Sequence, residues 1–372
     1  MQNLPLFKVY MPPREALMPR LEQVLYSGQV SEGAEVVAFE QAFAQGLGLD
    51  PRRSGVLSFY SGTAALHTAL VLAGVQAGGE VISTAMTAEP TNMAILHAGA
   101  RVVWADVDAQ NGNLDPSSVR EKITPRTQAI LAVHYGGIPL DLDALRSVAA
   151  DAGIPVIEDA AHAMGARYGG LPIGVHSEFV MFSLQAIKHT TTVDGGMLAC
   201  NPVGEVEALL ARGRRFRWFG IDRAAPRTEV DVAEVGYKYH MNNVNAAIGL
   251  VQLDYREEVI ARHRGNGRYF DAALAGIPGL RLCRWSAKAE PSYWFYTVLA
   301  ENRDGLMRHL AARGIASSPA HKRNDLHSVF AASRAELPGL DAFYRDMLHI
   351  PCGWWIGPAE REYIADALRQ GW

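Results

Sequence analysis

Lys188 and Asp159 are the two side chains best equipped to make and break bonds together. Lys188 sits in the stretch 179–200, FVMFSLQAIKHTTTVDGGMLAC. Residues 179–182 and 197–200 are brief, apolar and β-prone, the pattern of buried strands. Asp194, Gly195 and Gly196 are turn residues between them. Lys188 is therefore expected on a loop between two core strands. An amine held there loses hydration, its ammonium form is disfavoured, and it becomes a nucleophile toward carbonyls. A solvated lysine at a loop tip is the other reading this stretch allows.

Asp159 lies in 154–164, IPVIEDAAHAM. Residues 155–157 read as a buried strand with Glu158 and Asp159 at its carboxyl end, where open α/β sheets bind ligands. A lysine that forms a Schiff base, with a carboxylate that keeps a pyridinium nitrogen protonated, is the pairing pyridoxal 5′-phosphate (PLP) requires. Ala161 is then placed to lie flat against the ring, and His162 to bond its phenolic oxygen. Taken singly, an aspartate at a strand end is as well explained as a helix cap. The third piece is 57–70, LSFYSGTAALHTAL: a strand to Tyr60, a turn at Ser61-Gly62-Thr63 and a helix from Ala64. A helix N-terminus behind a glycine turn offers free N–H groups and a positive dipole end to a phosphate.

With these pieces the chain resembles the DegT/StrS-type nucleotide-sugar aminotransferase family, a group of fold-type I PLP enzymes. The resemblance is carried by SGTAAL from Ser61, EDAAHAMGA from Glu158, FSLQAIKHTTTVDGG from Phe182 and GYKYHMNNVNAAIGL from Gly236. SGQVSEGAEVVAFE from Ser27 and RNDLHSVF from Arg323 also fit. It implies transfer of an amino group from an amino acid to a keto-sugar, usually carried on a nucleotide. Glutamate is the expected donor and glutamine its rival. It implies Lys188 as Schiff-base lysine and proton carrier, Asp159 as partner of the ring nitrogen, and Gly62, Thr63 and Ser183 as phosphate contacts. It implies a homodimer with shared active sites, for which Trp218, Phe219, Tyr237 and Tyr239 are surface candidates.

The sequence departs from the family pattern twice. Ala88 stands where many members stack an aromatic ring on the cofactor. Lys238 stands where many carry an asparagine that reaches the phosphate in the partner subunit. Both are kept as cofactor contacts, Lys238 as a point charge, with Tyr237 and Tyr239 facing the opposite way into a dimer seam. A solvent-facing Lys238 is the alternative. Family dehydratases carry histidine at the lysine position, so Lys188 argues against that activity. Transfer to a free keto-sugar acid and a PLP-fold regulator without turnover are the other readings.

The pattern around these residues predicts their scaffold. Strands at 81–84, 101–105, 130–134 and 155–159 alternate with helical segments at 93–97 and 142–152. That predicts an α/β fold, a mostly parallel sheet between helices, matching the fold-type I PLP transferase that the resemblance implies. Before it come a lead-in with a short helix at 20–26 and a helix at 35–47. Helices at 205–217 and 243–262, a strand at 294–300 and helices at 304–313 and 359–369 follow, the later ones forming a smaller α+β region. The expected division is a PLP-binding large domain at 1–250 and a small C-terminal domain at 251–372.

The 372 residues, 49% hydrophobic, suffice for about two domains with a large core, and the net charge of −4 argues against nucleic acid. No apolar run approaches a membrane span or a signal-peptide core. Cys200, Cys283 and Cys352, odd in number and widely spaced, suit a reducing cytoplasm. His321, Asp325 and His327 lack metal-site spacing and read as a loop lining the substrate cleft, so no metal is expected. Arg212, Arg214, Arg215 and Arg217 are a solvated helix face or a diphosphate contact. Trp354 and Trp355 read as core or interface.

Overall fold

The computed structural model describes residues 3–202 and 204–372. Its strands in the first half of the chain are β1 (Gly55–Phe59), β2 (Glu80–Thr84), β3 (Arg101–Ala105), β4 (Thr127–Val133) and β5 (Val156–Asp159). A short hairpin, β6 (Arg167–Tyr168) and β7 (Leu171–Pro172), precedes β8 (Phe179–Ser183) and β9 (Gly196–Cys200). Seven of these form one sheet in the order β1-β9-β8-β5-β4-β2-β3. Only β9 runs against its neighbours. The carboxyl ends of the other six therefore share one edge.

Every residue of β2, β5 and β9 is buried, as strands covered on both faces must be. Side-chain alternation sends Leu57, Phe59, Ile157 and Met181 into one core and Val56, Val156, Val180 and Phe182 into the other. The helices covering these faces and the adjoining edges are α1 (Arg14–Tyr26), α2 (Ala34–Leu47), α3 (Gly62–Leu72), α4 (Glu89–His97), α5 (Pro116–Lys122), α6 (Leu142–Ala152), α7 (Val206–Phe216) and α8 (Asn243–Ala273). The mostly parallel α/β architecture read from the sequence is the one observed.

A second, antiparallel sheet joins β10 (Leu280–Leu282), β12 (Tyr296–Ala300) and β13 (Met347–Ile350), while β11 (Ala289–Glu290) adds to the β6–β7 hairpin. With α9 (Arg303–Ala311), α10 (Pro338–Asp346) and α11 (Pro358–Arg369) these elements complete the chain. Phe270, Val298, Leu348 and Ile364 form a third core, which also takes in Leu4. Helix α8 starts in the second core with Ala246 and ends in the third with Phe270. The expected boundary at 250/251 lies inside this unbroken helix.

Some element ends differ from the sequence reading for physical reasons. α1 begins at Arg14, behind Pro13, and tolerates Pro19 in its interior at the loss of one hydrogen bond. α8 continues past 262 because His263, Asn266 and Gly267 are buried there. Asn266 Nδ2 donates to the carbonyls of Cys352, Gly353 and Ile356, which ties the helix end to the last third of the chain. The three cysteines are free and buried. Among the described residues no helix is long and apolar enough to cross a membrane.

Candidate active site at the carboxyl edge of the sheet

Three strand ends meet at one cavity of about 340 Å³. Past β1 the chain turns at Ser61, whose hydroxyl accepts the Ala64 N–H at 3.2 Å and caps α3. The first N–H groups of a helix have no partner within it, and here they belong to Gly62 and Thr63, which line the cavity. Close packing behind this turn requires glycine at 196, where a Cβ would lie 2.5 Å from the Ser61 carbonyl oxygen.

β5 delivers Asp159, which is buried. Its Oδ1 accepts the Ala161 N–H at 2.9 Å and its Oδ2 accepts the Thr91 hydroxyl at 2.8 Å. Thr91 in turn bonds the Thr87 hydroxyl at 2.9 Å. Burial pushes the Asp159 carboxyl upward, against these two hydrogen bonds and the charge of Lys188. His162, also buried, accepts the Gly136 N–H on Nδ1 at 3.3 Å. Burial and the nearby Lys188 hold its imidazole well below the usual histidine range, so it is neutral.

β8 delivers Ser183 and then the loop carrying Lys188. The loop is closed at its base, where Leu184 N–H donates to the Gly195 carbonyl at 2.9 Å and Thr192 N–H to the Leu184 carbonyl at 3.0 Å. Lys188 is partly exposed as a residue, while its amine is enclosed. Desolvation lowers its pKa to about 7, only partly opposed by Asp159. The amine stands 3.7 Å from the centre of the Trp294 ring. Among the described residues it makes no ion pair with any carboxylate.

Gly62, Thr63, Ala88, Asp159, Ala161, His162, Ser183 and Lys188 all line this one cavity. Lys238 does not: it is exposed, bridged to Trp218 on an irregular strand. Its neighbours Tyr237 and Tyr239 stack on each other at 4.8 Å and both pack on His67. Of the arginine run, Arg212 pairs with Glu234, Arg214 with Glu207, and Arg217 with Glu32 and Glu40. None of the run lines the cavity.

His321 lines the cavity, whereas Asp325 is bound by Arg323 and His327 lies 3.3 Å from Glu89. Trp354 and Trp355 donate their ring N–H groups to the Lys8 and Pro5 carbonyls. Sequence reasoning did not single out Thr87, Thr91 or Trp294 as site residues. Asn324, in the RNDLHSVF piece, bonds the Thr87 carbonyl and Asn92, each at 2.8 Å, so this distant segment braces the loop after β2.

The sequence profile of the DegT/DnrJ/EryC1/StrS aminotransferase family matches residues 13–369. The sugar aminotransferase CalS13 from Micromonospora echinospora is 40% identical, with a TM-score of 0.94 over 99% of this chain and 100% of that one. AtS13 from Actinomadura melliaura is 41% identical, with a TM-score of 0.94 over 100% of both chains. Spr1654 from Streptococcus pneumoniae, in its PLP form, is 26% identical, with a TM-score of 0.91 over 99% of this chain and 98% of that one. A chain with this fold, this cavity and these relatives belongs to the DegT/DnrJ/EryC1/StrS aminotransferase family, a family of PLP-dependent enzymes.

Proposed function

We propose that this protein moves the amino group of an amino acid, glutamate first among donors, to a nucleotide-linked keto-deoxysugar, with PLP held on Lys188. The observation that carries the reading is Lys188 itself, a buried amine brought to about 7 by desolvation in the cavity it shares with Asp159.

The cavity residues suit that cofactor. Lys188 offers an amine for its aldehyde. The N–H groups of Gly62 and Thr63 and the Ser183 hydroxyl offer donors for its phosphate. His162 accepts on Nδ1, so its Nε2 carries the proton and is a donor for the phenolic oxygen. Ala88 and Ala161 bring little bulk to the cavity. When bound, PLP supplies a carbonyl for the amino group and a cationic ring that takes up the electrons of a carbanion.

Lys188, once its amine is free, is neutral for much of its time near pH 7. It can take the proton from the donor's α-carbon and return it elsewhere, as a general base and then acid. With the cofactor bound, Asp159 would pair with its positive ring nitrogen, and that charge would draw the carboxyl back toward the ionised form. Thr91 and the Ala161 N–H fix the direction of that carboxylate. Trp294 and His321 form part of the cavity wall. In a homodimer Lys238, exposed on its own chain, would serve the cofactor phosphate of the partner subunit.

Loading the protein with PLP and adding glutamate tests the reading. The visible absorbance of bound cofactor should bleach, and a nucleotide-linked keto-sugar should restore it. No bleaching by any amino acid would contradict an aminotransferase. Restoration by a free keto-sugar acid only would move the acceptor, not the reaction.

A further inference from the structure

The segment 292–294 is locked in place from several sides. Ser292 N–H donates to the Gly137 carbonyl and Trp294 N–H to the Gly136 carbonyl, each at 3.0 Å. His263 bonds the Tyr293 carbonyl at 2.8 Å and His189 the Ser292 carbonyl at 3.2 Å. Between them Tyr293 sits at φ 51° although it is buried and bulky, a conformation kept only where the surroundings impose it. Its ring lies against α8 where Gly267 leaves room, since a Cβ there would be 2.4 Å from Tyr293 Cγ. This strained turn aims Trp294 into the active-site cavity.

Trp294 then touches the reactive parts of the site. Its ring N–H donates to the Ile187 carbonyl at 2.9 Å, pinning the residue before Lys188. Its face lies parallel to His162, with centroids 3.9 Å apart and planes inclined by 15°. The Lys188 amine is 3.7 Å from its centre. Phe7 stacks on it at 4.6 Å. Phe7 belongs to an N-terminal strap anchored by Leu4 to Gly314 and Ala316 and by Gln252 to Tyr10.

We propose that Trp294 is a positioning residue for the catalytic amine. Its π face receives the ammonium form of Lys188, its N–H fixes the loop, and the N-terminal strap seats it through Phe7. This rests on Lys188 being the proton carrier. The charged and titratable groups around that amine are Asp159 at the end of β5, His162 beyond it, His189 on the same loop and His321 from the C-terminal half. Asp194, at the other end of the loop, also lines the cavity, but Asp159 is the carboxylate whose charge acts on the amine, and it makes no direct ion pair with it. The aromatic face is therefore the close contact that favours the ammonium form.

The test uses cofactor-free protein. The pH dependence of acetylation at Lys188, read peptide by peptide by mass spectrometry, gives the midpoint of the amine. Trp294→Leu keeps an apolar wall and removes the π face, so the midpoint should fall by about half a unit to one unit. Trp294→Phe keeps a face and loses the N–H, so its midpoint should stay within about 0.3 unit of wild type. In loaded protein, turnover should fall roughly tenfold or more in Trp294→Leu and less in Trp294→Phe, with cofactor affinity little changed.

An unchanged or raised midpoint in Trp294→Leu would show that the indole only excludes water. If that variant does not fold, Trp294→Phe decides: a shift beyond about half a unit overturns the proposal. A wild-type turnover that survives Lys188→Ala would remove the functional reading itself, a different outcome from any of these.

Discussion

The guanidinium of Arg217 and the amine of Lys188 are both enclosed, and their surroundings are opposite. Arg217, at the end of α7, is 2% exposed and lies among carboxylates. Its Nη1 donates to Glu40 at 2.6 Å and to the Ser58 carbonyl at 2.8 Å, and its Nη2 to Glu32 at 2.6 Å. Burial opposes its charge, but Glu40 and Glu32 outweigh that, and the guanidinium is held charged. It joins α7 to α2 and β1. Lys188 is enclosed with no carboxylate in ion-pair reach, and its charge is disfavoured. A cation that serves structure is paired, because an unpaired one would cost several kcal/mol. A cation that serves chemistry is left unpaired, because only then is the neutral amine within reach near pH 7.

The contrast fixes the sign and size of several substitutions. Lys188→Ala should leave a folded protein with transamination reduced roughly 10³-fold or more, since the proton carrier is gone. Steady-state turnover within tenfold of wild type would dissolve the distinction. Arg217→Met should destabilise by about 3–5 kcal/mol in urea unfolding, because Glu32 and Glu40 are stranded. A loss under about 1 kcal/mol would mean the cluster is not structural.

The same methionine at Lys188 has the opposite sign in the cofactor-free protein. The folded pKa of about 7 lies below the unfolded value, so the cost of the buried ammonium is complete below pH 7 and fades as pH rises toward about 10.4. Lys188→Met should thus gain stability below pH 7 and gain nothing from this source above pH 10. A pH-independent difference between the two proteins would contradict the depressed amine.

Asp159→Asn should bind cofactor yet lose about 100-fold in turnover, a neutral group no longer holding the ring proton. An effect within threefold would leave Asp159 as a turn-forming residue only. Lys238 is the third kind of cation, exposed in its own chain. Lys238→Ala should weaken cofactor affinity by about 1.5–3 kcal/mol, the range for a hydrogen bond to a charged group, in an equilibrium titration. Unchanged affinity would return it to solvent.

What the sequence disclosed follows how local each signal is. The lysine loop, the aspartate at the strand end and the Ser61 turn each sit within one element and its flanking turn, and eight of the nine expected site residues share the cavity. The strand–helix alternation was equally local. Trp294 was not readable as a site residue because it enters from the C-terminal half of the chain, aimed by a strained turn that the run PSYWFY does not announce. Thr91 lies in the first turn of α4, and only the fold brings it to Asp159 at the end of β5. Asn324 reaches the loop after β2 across more than two hundred residues of chain, beyond any periodicity. Two helix starts were legible locally and still passed over: α5, with its Asp115 cap and Pro116 at the first helical position, and α10, which opens on Pro338.

The most direct measurement is chemical capture. Protein loaded with PLP is reduced with borohydride, digested and mapped by mass spectrometry. The reduced phosphopyridoxyl group should appear on the peptide containing Lys188 and be absent from that peptide when glutamate is added before reduction. Capture at another lysine, or no capture at any, would contradict the assignment of Lys188 as the residue that holds the cofactor.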